Sequence, residues 1–219
     1  MPSSIIIIGA GPNLGAAVAR RYGREGLSVG LIARDETKLA ALGADLGALG
    51  IDAAYAAADI RDADGLSAAI TSLAQQLGPV EVLEYSPLPA REFMKPILET
   101  SVDDVRGPLE FSVLGAVAAV TTVVQPMLER GSGTILFTTG GAAINPYPLR
   151  AGVGISFAAE VAYARMLHDE LADRGIHVGH TAIAGRIAPG GDHEPDEIAD
   201  VLFNHHTDRS AFQVRIGID

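Results

Sequence analysis

Short apolar runs alternate with longer stretches of helical periodicity along the whole chain. Seven runs predict strands: Ser4–Ile8, Leu27–Ala33, Ile51–Ala57, Val80–Tyr85, Thr134–Thr138, His177–Ile183 and Phe212–Ile216. Most are continuously apolar rather than alternating, the mark of strands covered on both faces. Between them the pattern predicts helices over Leu14–Arg24, Glu36–Leu49, Ala63–Leu77, Leu109–Leu128, Ser156–Arg174 and Asp196–Asn204. Repeated strand–helix–strand order implies a parallel sheet with right-handed crossovers. The predicted class is therefore α/β: one doubly wound domain over residues 1–219, with about seven parallel strands and helices on both faces.

The punctuation agrees. Gly26, Gly50, Gly78 and Gly175 each stand just past a helix, where a left-handed cap is wanted. Pro195 opens the last helix, with acids in its first turn. Ser101 and Asp104 resemble a capped helix start. Pro126 predicts a kink or an end to its helix. The two longest helices, 109–128 and 156–174, are rich in Ala, Val and Leu. A helix this apolar has more than one face to bury, which predicts a homodimer or homotetramer joined through these two.

Composition narrows the class. The chain has 219 residues, 27 Asp plus Glu against 16 Lys plus Arg, net charge −11, and no Cys. Absence of Cys excludes a disulfide scaffold and disfavours structural zinc. The negative balance disfavours a nucleic-acid backbone as partner. No single apolar run nears the ~20 residues that span a bilayer. Met1-Pro2-Ser3-Ser4 lacks the basic flank of a signal peptide, so a cytoplasmic protein with no membrane partner is expected.

The most informative stretch is Ile5-Ile6-Ile7-Ile8-Gly9-Ala10-Gly11-Pro12-Asn13-Leu14-Gly15. A buried strand ends at Gly9 and a helix begins by Leu14. Glycines permit a tight turn and a close approach of backbone, and the helix start offers free N–H groups to a pyrophosphate. Tight strand-to-helix turns also use Gly for purely steric reasons. Position after the first strand favours the phosphate reading and a Rossmann-type domain.

Gly9, Asn13 and Gly15 resemble the G-x-x-x-G-x-G turn of the short-chain dehydrogenases/reductases, with Asn13 replacing the middle Gly. Asn tolerates the left-handed region better than most residues. The resemblance runs on through Leu31–Asp35 at the second strand's end, Ala58-Asp59-Ile60 after the third, Gly78–Leu83 before and into the fourth, Gly133–Phe137 in the fifth, and Pro195–Ala199 with the final strand. It implies an NAD(P) site built from Gly9, Gly11, Asn13, Leu14, Gly15, Arg34, Asp59, Ile60, Ser86 and Pro87. NAD-preferring sites end the second strand in a carboxylate, whereas this chain has Ala33 followed by Arg34, whose guanidinium suits a 2′-phosphate. NADP(H) is therefore expected over NAD(H). The competing readings give the carboxylate role to Asp35, whose plain role is to cap the helix at Glu36, or leave Arg34 as surface charge.

The resemblance also implies a reaction, hydride exchange between the cofactor and a carbonyl/alcohol pair. Active members use a Tyr whose phenol, ordinarily near pKa ~10, is lowered by a Lys four residues on, with a Ser and an Asn beside them. Aligned by the fifth strand, the Ser position is Gly140, the Tyr position Val153, the Lys position Phe157 and the Asn position Ser112. The fourth-strand Asn-Asn-Ala-Gly reads Tyr85-Ser86-Pro87-Leu88. No catalytic residue transfers by position, and the catalytic set is left unknown. Thr139 has a hydroxyl beside the Ser position but should point the other way on a strand. Tyr147 with Arg150, and Ser156, are the remaining nearby groups. The segment after the sixth strand, Gly185 to Glu194, is short for a substrate cover.

The histidines suggest no metal. His177 and His180 face opposite ways on a strand, and His205-His206 end a helix, so solvated or capping positions are expected. Two readings stand: an NADP(H)-dependent oxidoreductase with non-standard acid/base groups and an unknown small-molecule substrate, or a dinucleotide-binding regulator or partner subunit without turnover.

Overall fold

A computed structural model describes residues 3–218; Met1-Pro2, part of the amino-terminal stretch read above, and Asp219 lie outside the described residues. Seven strands, β1 (Ser4–Ile8), β2 (Ser28–Ala33), β3 (Ala53–Ala57), β4 (Val80–Tyr85), β5 (Gly133–Gly140), β6 (Ile176–Ile183) and β7 (Gln213–Ile216), form one sheet in the order β3-β2-β1-β4-β5-β6-β7. Every pairing is parallel. β1 lies between β2 and β4, with Ile5 opposite both Val29 and Val82. Ile5 to Ile8 are wholly buried, and each contributes about 2 kcal/mol from apolar burial. Helices α1 (Leu14–Arg24), α2 (Glu36–Ala48) and α7 (Pro195–Asp208) cover one face. The other face takes α3 (Ala63–Leu77), α4 (Val102–Leu109), α5 (Gly115–Arg130) and α6 (Ala151–Leu171). Crossovers leave β1 and β4 in opposite directions, which opens a crevice at their carboxyl ends.

The structure corrects several boundaries. The helix expected from Leu109 begins at Val102, where Ser101 and Asp104 form a complete capping box. It then runs through a π-turn at Glu110–Leu114 into α5. A π-turn leaves a carbonyl without its usual partner. Here the Tyr85 hydroxyl donates to the Phe111 carbonyl at 2.5 Å. Gly115 makes room for it, since a Cβ there would lie 2.6 Å from that hydroxyl. α5 continues past Pro126 to Arg130, so the expected break does not occur; the missing N–H falls in the last turn but one, on an exposed face. Joined in this way, Val102–Arg130 is long and apolar enough to cross a membrane by length and composition, which no single run suggested. Half of its most apolar window is buried against the rest of the protein.

α6 begins five residues earlier than expected, at Ala151. Gly152 and Gly154 hide the helical pattern. Gly152 is a packing requirement, because a Cβ would lie 2.8 Å from the Phe93 carbonyl oxygen. Gly78 caps α3 with φ 99° and ψ −177°, outside the left-handed well that Gly175 occupies. The histidines are not solvated as expected: His177, His180, His205 and His206 are buried. Among the described residues no three or more His, Asp or Glu side chains come together as a metal site would require.

Candidate active site: a two-chambered crevice at the carboxyl edge of the sheet

β1 delivers the chain to Gly9 at φ +91°, directly beneath the end of β4. A Cβ on Gly9 would lie 2.5 Å from the Pro87 Cα, and one on Gly15 would lie 2.8 Å from the Ala10 Cα. Both glycines are therefore required sterically, for the close approach of β4 and for packing α1 on its own turn. Gly11 is different. A Cβ there meets nothing nearer than the Gly9 carbonyl oxygen at 3.8 Å, so its backbone faces open space. Asn13 precedes α1 at φ −95° and gives no side-chain cap. Its tolerance of the left-handed region is thus not what the turn uses. The N–H groups of Leu14 and Gly15, at the start of α1, have no backbone partner and both residues border the crevice, whereas the Ala16 N–H donates to the Gly11 carbonyl at 2.9 Å.

Two cavities meet over this turn and share Gly9, Gly11, Pro12, Pro87 and Leu88. The first, about 910 Å3, runs over the ends of β2 and β3 and is lined by Arg34, Asp35, Lys38, Asp59, Ile60 and Arg61. Asp35 caps α2 by accepting from the Lys38 N–H at 3.1 Å and pairs with the Lys38 ammonium at 2.8 Å, which holds its carboxyl below the usual range. Asp59 is held low in the same way by hydrogen bonding to the Arg61 guanidinium, 3.2 Å away, with Arg34 adding its charge. The nearby carboxylates thus have cationic partners, while Arg34 is exposed beside the cavity.

The second cavity, about 960 Å3, extends over β4, β5 and β6. Asn13, Leu14, Gly15 and Ser86 border it, as do Gly140, Val153 and Phe157. Val153 and Phe157 share one face of α6, and the position of a Cβ on Gly140 would be 3.4 Å from the Phe157 ring. Ser112 stands apart. It lies in the π-turn, wholly buried, outside the lining of both cavities, and its hydroxyl has no hydrogen-bond partner. Tyr147 and Arg150 line the chamber; Ser156 does not, and its hydroxyl turns back to the Val153 carbonyl. Thr138 and Thr139 both line it, although neighbours on a strand were expected to diverge.

One buried group escaped the sequence reading. Glu84 is fully buried in β4 and accepts from the Thr138 hydroxyl at 2.6 Å, while its second carboxyl oxygen has no partner. Burial pushes its pKa up to about 8. At neutral pH it therefore carries a proton, just beneath a chamber-lining hydroxyl. Its only signal in the sequence is an acid in β4, a strand that also carries the half-buried Glu81.

Comparison with known proteins decides the family. The family model for short chain dehydrogenase matches residues 3–190. The chain belongs to the short-chain dehydrogenase family. A short chain dehydrogenase of Pseudocercospora fijiensis is 30% identical over 173 residues, which cover 78% of this chain and 55% of that one. The chain thus matches little more than half the length of that relative. A short-chain dehydrogenase from Rhodopseudomonas palustris has the same fold, with TM-score 0.87 and 27% identity over 98% of this chain and 97% of that one. A metagenomic short-chain oxidoreductase, solved in complex with NADP, superimposes with TM-score 0.85 at 24% identity, covering 99% and 96%. The cofactor typical of the family is NAD(P).

Proposed function

We propose that this protein binds NADP(H) along the crevice and exchanges hydride with a carbonyl/alcohol pair in the second chamber. The observation that carries the reading is Gly11: a turn that is sterically full at Gly9 and Gly15 is open at Gly11, where two cavities join. A pyrophosphate fits there, against the first N–H groups of α1. Arg34 favours a 2′-phosphate, because Asp35 is committed to capping α2 and to Lys38. Asp59 and Ile60 would flank the adenine, and Ser86 and Pro87 the path to the nicotinamide.

Bound cofactor would supply or accept the hydride. The chain's own part differs from the family pattern, since Gly140, Val153 and Phe157 offer neither hydroxyl, phenol nor ammonium. Walls of Met94, Val153, Phe157 and Ile183 suit an apolar ketone, with polar side chains supplied by Asn13, Ser86, Thr138, Thr139, Asn145, Tyr147 and two arginines. Those same three departures favour a second reading, a binding protein without turnover. Titration with NADPH and NADH, followed by NADPH consumption with a ketone panel, separates them. Tighter NADPH binding with consumption supports the enzyme, binding alone supports the regulator, and no binding of either nucleotide refutes both.

The same reading includes a cytoplasmic homo-oligomer. Leu114 on the first long helix and Ile155 and Met166 on α6 are exposed at 56%, 41% and 63%. Light scattering that gives a dimer or tetramer mass supports association; a monomer at micromolar concentration opposes it.

A further inference from the structure

A second hydrogen-bonded chain reaches the chamber from the opposite side of the sheet to Glu84. Thr139, 4% exposed, places its Oγ1 2.8 Å from Nε2 of the wholly buried His180 on β6. His180 Nδ1 lies 3.1 Å from Nε2 of Gln213 on β7. Gln213 Oε1 accepts from Nε of Arg215 at 2.9 Å. Arg215 has donors only, so it fixes the amide: Oε1 faces Arg215 and the NH2 faces His180. The amide therefore donates to Nδ1. Burial holds the His180 pKa down at about 4, with the charges of His205 and Arg215 adding to the effect, so the ring is neutral near pH 7 and has one N–H. That N–H is on Nε2 and is donated to Thr139. The threonine oxygen is thereby engaged from beneath, and its own hydrogen has no acceptor among the described residues.

We infer that Thr139 is the chamber's carbonyl-polarising donor, oriented by a one-way chain of hydrogen bonds from Arg215 through Gln213 and His180. The inference rests on the reading of the second chamber as a carbonyl site. It also restricts what the chain can do. Neutral His180 would have to become an imidazolate to release its remaining proton, and an amide does not relay one. The chain donates hydrogen bonds to charge building on a substrate oxygen and supplies no proton. His180, Gln213 and Arg215 are positioning residues; only Thr139 would touch the ligand. The hydroxyl missing at Gly140 is thus provided one residue earlier, from the face of β5 that His180 supports.

Gln213→Glu is the discriminating change, because a carboxylate accepts where the amide donates. It should move the His180 proton to Nδ1, so that Thr139 donates to the ring instead of the chamber. Two readouts need no turnover. In the free protein, ring nitrogen NMR should show His180 protonated on Nε2, and on Nδ1 in Gln213→Glu. With carbonyl-13C acetophenone as probe and NADP+ present, the bound C=O stretch should shift to lower frequency in wild type and in Thr139→Ser. The shift should vanish in Thr139→Val and Gln213→Glu. Where acetophenone reduction is measurable, kcat should fall on the order of 100-fold in those two variants, with the Kd for NADPH unchanged. An Nδ1-protonated His180 in wild type, an unshifted carbonyl in wild type, or a shift that survives Gln213→Glu overturns the inference. The nucleotide titration separates the two claims: a carbonyl shift and an Nε2 proton without NADPH affinity would fault only the cofactor reading.

Discussion

Arg34 and Gly9 carry opposite kinds of constraint. Arg34 is exposed and structurally undemanding, so its replacement tests binding alone. Arg34→Ala should weaken NADPH about 10-fold or more while leaving NADH nearly unchanged, by the loss of a charge-assisted contact. Equal losses for both nucleotides, read by fluorescence titration, would count against 2′-phosphate recognition. Gly9 is demanding. Gly9→Ala places a methyl against the Pro87 backbone at φ +91°, and should cost about 1–3 kcal/mol of stability as well as nucleotide binding. Chemical denaturation measures the first and titration the second. The glycine turn was legible in sequence because its demand is local. The Thr139–His180–Gln213 chain was not. It joins three strands whose neighbourhood is set only when the sheet assembles, and strand alternation alone pointed Thr139 the wrong way relative to the chamber.

Strands were the easiest elements to read, since continuous apolar runs bounded by glycines have few alternatives. The helices that failed did so for identifiable reasons. Pro108 masked the start of the Val102–Arg130 helix, and Gly152 and Gly154 masked the start of α6. Both are accommodated by tertiary contacts that propensity does not see, such as Gly152 against Phe93. The π-turn left no sequence signal at all; it depends on Tyr85 reaching across from β4. Pro126 offers a test at this scale. It lies within α5 on an exposed face and removes one helical hydrogen bond, so Pro126→Ala should stabilise the protein by about 1–3 kcal/mol. The rise in Tm, measured by calorimetry, checks it. No gain would mean that the Thr122 carbonyl, which Pro126 leaves without its i+4 donor, is already satisfied by another donor.

Across the whole molecule, buried titratable groups set the response to pH. Glu84 has its pKa raised by burial from 4.5 to about 8, and Glu160 is shifted the same way. The native state therefore keeps protons that the unfolded chain has lost, and stability falls as pH rises from 4.5 towards 8. Burial lowers His177 and His180 from 6.5 to about 4, and lowers His205 and His206 as well. For these groups the unfolded chain binds the proton first, so stability is lost as pH falls from 6.5 towards 4. Four histidines oppose two carboxyls below 6.5, and above it the carboxyls act alone. Urea midpoints should peak near pH 6.5, and Glu84→Gln should flatten the alkaline side. A midpoint constant from pH 6.5 to 8 in wild type would refute the assignment of a buried proton to Glu84.

The place of β1 in the middle of the sheet has a consequence for biosynthesis. The glycine turn is made before β4, and it stays without its ceiling until Pro87 arrives. Helix α1 is tied by Arg20 and Arg21 to Asp196 and Asp200 on α7. Those clamps exist only after α7 has been made. On the proposed function, a nascent chain halted before α7 should therefore hold nucleotide poorly, and the cofactor would act as a late fastener that follows α7, not as a template for the folding of β1 and α1.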